Sequence, residues 1–378
     1  MPSGIQQYRT PMNRILLLLA VTCIFMIGLI MIFSTTSAEV LDHDLNKSTH
    51  QAFIRQICYA IAGIALAFGI YRFGYRNLLA ISPLLLCLFT LLLILVLIPG
   101  VGKEVNGSKR WLNILGISFQ PSEFVKYLVP AYFIHSILKW DIALMTFKDF
   151  LKLVARVTIP IVLILVEPNN GTAAVIGMTV VVLCLLTCIP FRYWGIPLVV
   201  FIIVGGVSAI NLPYVTARLK VYLNPELDLK GKGHQPYQAK IAAGSGKLFG
   251  KGPGNSLQKL SYLPEAQNDY IAAIYAEEMG FAGMLCLILL YVSVGIIGFQ
   301  IANEAVDREG FYYAGAITFL ICFQAFMNMG VVSGLLPSTG LNLPWFSQGG
   351  TSLMANVMGI GLLLSIAEAS SKQVKAHG

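Results

Sequence analysis

Apolar residues in this chain arrive in blocks. Runs close to the roughly 20 residues that span a bilayer as a helix fall at 15–33, 55–72, 78–98, 121–138, 151–166, 172–190, 193–212, 271–299, 311–334 and 350–367. The pattern predicts an all-α integral membrane protein of about ten transmembrane helices. It forms a single polytopic domain over 1–378, with a large extracytoplasmic loop (213–270) between spans 7 and 8. Composition agrees. Hydrophobic residues make up 56%, charged residues 12%, and mean hydropathy is +0.73. A soluble domain carries about 25% charged residues, and half that share leaves too little polar surface to cover a globule. A soluble enzyme, a disordered chain and a disulfide-rich secreted module are excluded.

Charge orients the spans. Ten crossings put both termini on one side, and that side's segments hold twelve Lys and Arg, against five in the short outer loops (Lys47, Arg55, Lys103, Lys109 and Arg110). The positive-inside rule makes the termini cytoplasmic. The run 15–33 follows Arg9 and Arg14 and exceeds the about 7–15 residues of a signal-peptide core, so it reads as a retained first span. The seven cysteines lie inside apolar blocks and read as small buried hydrophobes. Neither they nor the five scattered histidines have metal-ligand spacing.

Two outer segments break the charge rule. The stretch from Pro213 to Asp269 carries eight Lys and Arg, Arg218 and Lys240 among them, and loop 100–119 adds Lys103, Lys109 and Arg110. Long loops translocate despite charge, so solvated lysines explain the first as readily as a ligand does. The two together suit an anionic ligand such as a phosphorylated lipid head group. Gly246-Lys247 is followed by Leu248, and Ile241 stands where a Walker A loop needs its first glycine. Nucleotide binding is therefore rejected, and no nucleic-acid partner is expected.

Three further features need explanation. Glu123 and Lys126 head the fourth span three residues apart, on one helix face. Such charges need pairing or a wet cavity within a bilayer. Ser261 to Tyr270 brings Glu265 and Asp269 to the outer surface, where Pro264 predicts a helix start that sets the two carboxylates one turn apart. The run 271–299 that follows is too long for one straight span, so its first part, with Glu277 and Glu278, is placed in an outer cavity. Finally, 334–350 is uncharged, apolar and rich in helix breakers. It fits a re-entrant loop buried by protein.

These segments, in order, resemble the SEDS family (shape, elongation, division and sporulation proteins). The carriers are Asn106-Gly107-Ser108-Lys109-Arg110-Trp111-Leu112 with Gln120-Pro121-Ser122-Glu123 and Lys126; Pro168 with Gly171-Thr172; Asn224-Pro225 with Asp228, Gly231 and Gln235; Leu263-Pro264-Glu265 with Asp269 and Glu277-Glu278; and Asn328-Met329-Gly330 through Leu336-Pro337, Gly340, Leu343-Pro344 and Ser347 to Gly349-Gly350. Gln324 to Val332 looks more like the cell-division branch than the elongation branch. The resemblance implies a ten-span polymerase of lipid II in the bacterial inner membrane, at the division septum, working with a class B penicillin-binding protein and other division proteins. It makes Asp269 the essential outer carboxylate and Glu123 and Lys126 the intramembrane pair. The chain departs from the family pattern at Asn169 (usually Asp), Gln267-Asn268, Tyr270 and Gln348.

The chemistry suits these residues. A sugar 4-hydroxyl attacks an anomeric carbon and polyprenyl diphosphate leaves with inversion. Diphosphate leaves as a stable anion, so one carboxylate base is enough. Asp269 is the expected base, and Lys109, Arg110, Arg218 and Lys240 are the expected cations for the diphosphate. Glu123, Lys126 and Glu265 complete the expected substrate site. No cofactor is required; a divalent cation (Mg or Mn) bridging Asp269 and the phosphates is compatible with the chemistry, although no ligand cluster demands one. A lipid II flippase and a non-catalytic division scaffold are the rival readings, since an intramembrane ion pair also serves transport.

Overall fold

A computed structural model describes residues 4–43, 50–105, 108–114, 116–139, 145–199, 203, 216, 221–223, 233–260 and 267–377. Its helices are α1 (Gly4–His43), α2 (Gln51–Phe73), α3 (Tyr75–Leu97), α4 (Ser122–Ile137), α5 (Phe147–Val166), α6 (Asn170–Leu186), α7 (191–199), α8 (His234–Ser245), α9 (Ile271–Asn303), α10 (Arg308–Val332) and α11 (Gly350–His377). Six are long and apolar enough to cross a bilayer: α1, α2, α3, α9, α10 and α11. The predicted run 193–212 is helical to residue 199, and most of the rest of it lies outside the described residues.

Local chemistry fixes the helix ends. Thr146 accepts from the Asp149 amide at the head of α5, Asn169 from Thr172 at α6, and Asp307 from Gly310 at α10. A single residue, Gly74 at φ 90°, turns α2 into α3, a conformation that favours glycine. At one end of the bundle Arg14 of α1 pairs with Glu368 of α11, Asn13 bonds Glu304 after α9, and Tyr75 and Arg76 of α3 bond Asp307 before α10. Helices crossing alternately bring those termini to one face.

The centre is α4. Every residue from Ser122 to Ile134 is buried, so this helix has no lipid-facing side and takes its solvent from α3, α5, α6, α10 and α11 around it. Cys184 alone of the seven cysteines is fully buried, and five are exposed, four on helix flanks and Cys188 in the turn after α6, because an apolar block surrounded by lipid need not face protein. The all-α expectation gains one element. Three strands, β1 (Gly102–Val105), β2 (Ser108–Ile114) and β3 (Ile117–Phe119), form an antiparallel sheet in the order β1-β2-β3.

The over-long run 271–299 is not one straight span. Within α9, Gly280 takes φ 68° and ψ −166°, and everything from Ile271 to Glu278 before it is buried. A strap, residues 246–260, docks into the break. Lys251 and Gly252 amides donate to the Glu277 and Glu278 carbonyls, while Phe281 and Ala282 amides donate to those of Lys247 and Leu248. A Cβ at Gly280 would overlap the Gly250 backbone, and the dihedral pair itself is essentially reserved for glycine. Gly280→Ala should therefore destabilise the detergent-solubilised protein by more than the roughly 1–2 kcal/mol of an ordinary left-handed residue, read as a lower melting temperature. An unchanged melt would mean that the strap does not occupy the break.

Candidate active site

Asp269 is half-buried in the turn 267–270 that precedes α9. This corrects the expectation of a helix already under way there; α9 begins at Ile271, with Tyr270 as its cap. A bridging side chain and one direct hydrogen bond tie the turn to the re-entrant segment. The Asn328 side-chain amide on α10 donates both to the Asp269 carbonyl (2.8 Å) and to the Leu341 carbonyl (2.7 Å). The Gln348 amide donates to the Gln267 carbonyl at 2.9 Å.

The re-entrant segment is non-helical from residue 334 to 349; its first half is partly exposed and its second half is mostly buried, with Leu343, Trp345 and Phe346 fully enclosed. A buried backbone needs partners, and side chains supply them. Gln324 donates to the Asn342 carbonyl, Tyr291 to Pro344, Asn342 to Gln348 and Gln56 to Ser347. The segment is the floor beneath Asp269.

Arg110 comes from the opposite wall, on β2. Its Nε donates to the Glu167 carbonyl (3.0 Å) and its Nη2 to that of Pro168 (2.6 Å). Asp269 and Arg110 meet over Gly340. A Cβ added there would lie 3.6 Å from Asp269 Oδ2 and 3.9 Å from Arg110 Nη1. Gly340, at φ +74°, puts no side chain of its own between carboxylate and guanidinium.

The ion pair lies under this floor. Lys126 Nζ donates to Glu123 (2.7 Å) and to the Gln324 side-chain Oε1 (2.9 Å), with Lys126 1% exposed. Gln324 thus joins the pair to the floor it supports. Lys109 stands next to Arg110 on β2, opposite Glu104 in the strand register. The Lys240 chain lies across Gly334, where the re-entrant segment begins. Arg218 and Glu265 lie outside the described residues. Two loop cations are committed internally: Lys251 pairs with Glu277 at 2.6 Å and Lys259 with Glu278 at 2.8 Å. Ser256 and the Leu257 and Gln258 amides also donate to Glu277.

Asn169, lacking the charge of the family's aspartate, caps α6 and donates to Ser122 at 3.4 Å. Glu167, two residues earlier, escaped the sequence reading. It is 1% exposed and neither carboxyl oxygen has a hydrogen-bond partner. Burial pushes this carboxyl up to about 8 against the opposing pull of Arg110. The folded chain keeps a proton that the unfolded chain releases near pH 4.5. Stability therefore falls as pH rises through that interval and levels off above 8. Glu167→Gln should melt with the parent protein below pH 4.5 and at higher temperature than the parent near pH 8. Equal melting at both would show that Glu167 has found a charged partner.

A helical membrane bundle with a half-buried carboxylate, a guanidinium over a glycine floor and an ion pair below defines a polytopic membrane protein with an anion-competent site at one surface. The family model FtsW/RodA/SpoVE, described as "Cell cycle protein", matches residues 14–372, and the chain belongs to that family. It is 38% identical over 356 residues to "Probable peptidoglycan glycosyltransferase FtsW" of Legionella pneumophila, covering 92% of this chain and 89% of the relative. It is 36% identical to "Stage V sporulation protein E" of Bacillus subtilis, covering 94% and 97%. Among solved structures, a chain described under "Structural coordination of polymerization and crosslinking by a peptidoglycan synthase complex" superposes with TM-score 0.74 at 26% identity, over 93% of this chain and 96% of that one. The rod shape determining protein RodA of Thermus thermophilus superposes with TM-score 0.67 at 25% identity, over 93% and 95%.

Proposed function

We propose that this chain is a peptidoglycan glycosyltransferase that polymerises lipid II during cell division, with Asp269 as general base. The observation that carries the reading is the convergence of Asp269 Oδ2 and Arg110 Nη1, both within 4 Å of the position a Cβ on Gly340 would take. The acceptor sugar's 4-hydroxyl gives its proton to Asp269 as its oxygen attacks the anomeric carbon of the donor. The bond from that carbon to the diphosphate breaks with inversion, and Arg110 faces the developing charge. Buried oxygens with no protein partner at Asn328, Thr339 and Gln348 can accept sugar hydroxyls. An apolar cavity of about 490 Å³ between α5, α6 and α7, reaching from Trp194 to Asn170, suits a prenyl chain.

Among the described residues no group of three His, Cys, Asp or Glu could hold a metal. A Mg or Mn ion would then travel with the diphosphate, with Asp269 as its protein contact. A class B penicillin-binding protein and further division proteins are the proposed partners. The proposed location is the bacterial inner membrane at the septum, with both termini cytoplasmic.

The test incubates pure protein with lipid II, with and without its class B partner, and resolves products on a gel. Polymer is expected. Transport of fluorescent lipid II across liposomes without polymer would favour a flippase instead. Growth supported by Asp269→Asn would favour a scaffold.

A further inference from the structure

The strap that fills the break in α9 carries an exposed apolar tip. Leu248 is 54% and Phe249 79% exposed, although nothing about the tip is loose. Its backbone is bonded to residues 277–282 on both sides, and a Cβ at Gly246 or Gly250 would overlap the carbonyl of Ala276 or Glu278. Lys251 and Lys259 lock it further through Glu277 and Glu278. Two large apolar side chains are therefore held rigidly outward at the tip, and the strap carries two more exposed ones, Leu257 and Leu260, further along.

What lies against them follows from α9. Beyond the break, Phe281, Leu285, Ile288, Val292, Ile296 and Phe299 are all exposed at three- and four-residue spacing, a single lipid-facing stripe. Polar residues resume at Gln300. Counting back the roughly 20 residues that cross the hydrocarbon reaches Phe281. The boundary between acyl chains and head groups therefore falls at Phe281, and Phe281 is the residue whose amide bonds the Lys247 carbonyl.

We infer that Leu248 and Phe249 form an interfacial anchor, inserted among phospholipid acyl chains of the leaflet on the Asp269 side, with exposed Lys247 at the phosphate level. Apolar side chains that would be unfavourable in water extend the lipid-facing stripe of α9 by one level, and a flanking lysine can reach the head groups. The strap is bonded to residues 277–282 of the helix that follows the turn bearing Asp269, so the anchor helps set the height of that turn above the acyl chains.

The test places full-length Phe249→Trp in nanodiscs of phosphatidylethanolamine and phosphatidylglycerol, with the parent protein as the subtraction blank. The emission added by the new tryptophan should be mostly lost when the lipids carry bromine near the glycerol end of their acyl chains, and should resist iodide in the buffer. Quenching by iodide with indifference to brominated lipid would put the tip in water and overturn the anchor. Protection from both would mean that protein covers the tip, which also overturns it. Leu248→Trp provides a second reading by the same criteria, and replacement of an exposed side chain leaves the locked backbone in place.

Discussion

Asp269→Asn should give a folded, membrane-inserted protein that makes glycan strands roughly 10²–10⁴ times more slowly than the parent, the usual weight of a general base. The substitution keeps the shape of the side chain and removes its basicity. The fold should tolerate it, because Asn328 grips the backbone carbonyl of residue 269 and not the carboxylate. Asp269 is also only half-buried. Melting temperature and elution volume should match the parent while lipid II polymerisation collapses. Strand synthesis at the parental rate would remove Asp269 from the chemistry. A collapse accompanied by a large loss of thermal stability would assign the residue to structure.

Lys126→Met should damage the fold itself. Both partners of the Glu123–Lys126 pair are buried, and removing one leaves a carboxylate with no counter-charge in the centre of the bundle. Breaking a buried pair in this way costs about 3–5 kcal/mol. Gln324 loses its donor at the same time and loosens its hold on the Asn342 carbonyl. The double substitution Glu123→Gln with Lys126→Met should recover much of the lost stability, since two neutral groups of similar size remove the orphaned charge. Thermal melts of the three variants check this directly. A single variant as stable as the parent would mean that water reaches Glu123. If the double variant melts normally but makes no polymer, the pair serves the reaction as well as the fold.

The features legible in the sequence were those written in neighbouring residues. Glu123 and Lys126 are three apart on one helix and do pair. The surplus length of 271–299 ruled out one straight span, and the helix does break at Gly280, although its position was not foreseen; the breaker-rich, uncharged 334–350 segment is non-helical up to residue 349 and buried over most of its second half. Contacts between distant residues left no such trace. Lys251 and Glu277, 26 positions apart, read as loop and membrane charges and proved to be partners. The anchoring of Arg110 by two carbonyls 57 and 58 residues away has no side-chain signature at all. The small sheet at 102–119 was missed because its strands run to seven residues at most and sit in a loop that charge had already labelled. Glu167 was overlooked because its neighbours in sequence gave no hint that the chain end of α5 would be sealed.

The floor under Asp269 reverses the usual division of labour between backbone and side chain. A helix carries its own amides, so its outward residues can vary with little effect on its course. In the segment 341–349 the main chain is suspended from carboxamides and a phenol rooted elsewhere, at Gln56, Tyr291, Gln324 and Asn328. Rigidity at the reacting surface is consequently on loan from three separate helices. A tilt of any one of them, whatever drives it, would be transmitted to the catalytic turn as a displacement of its supports.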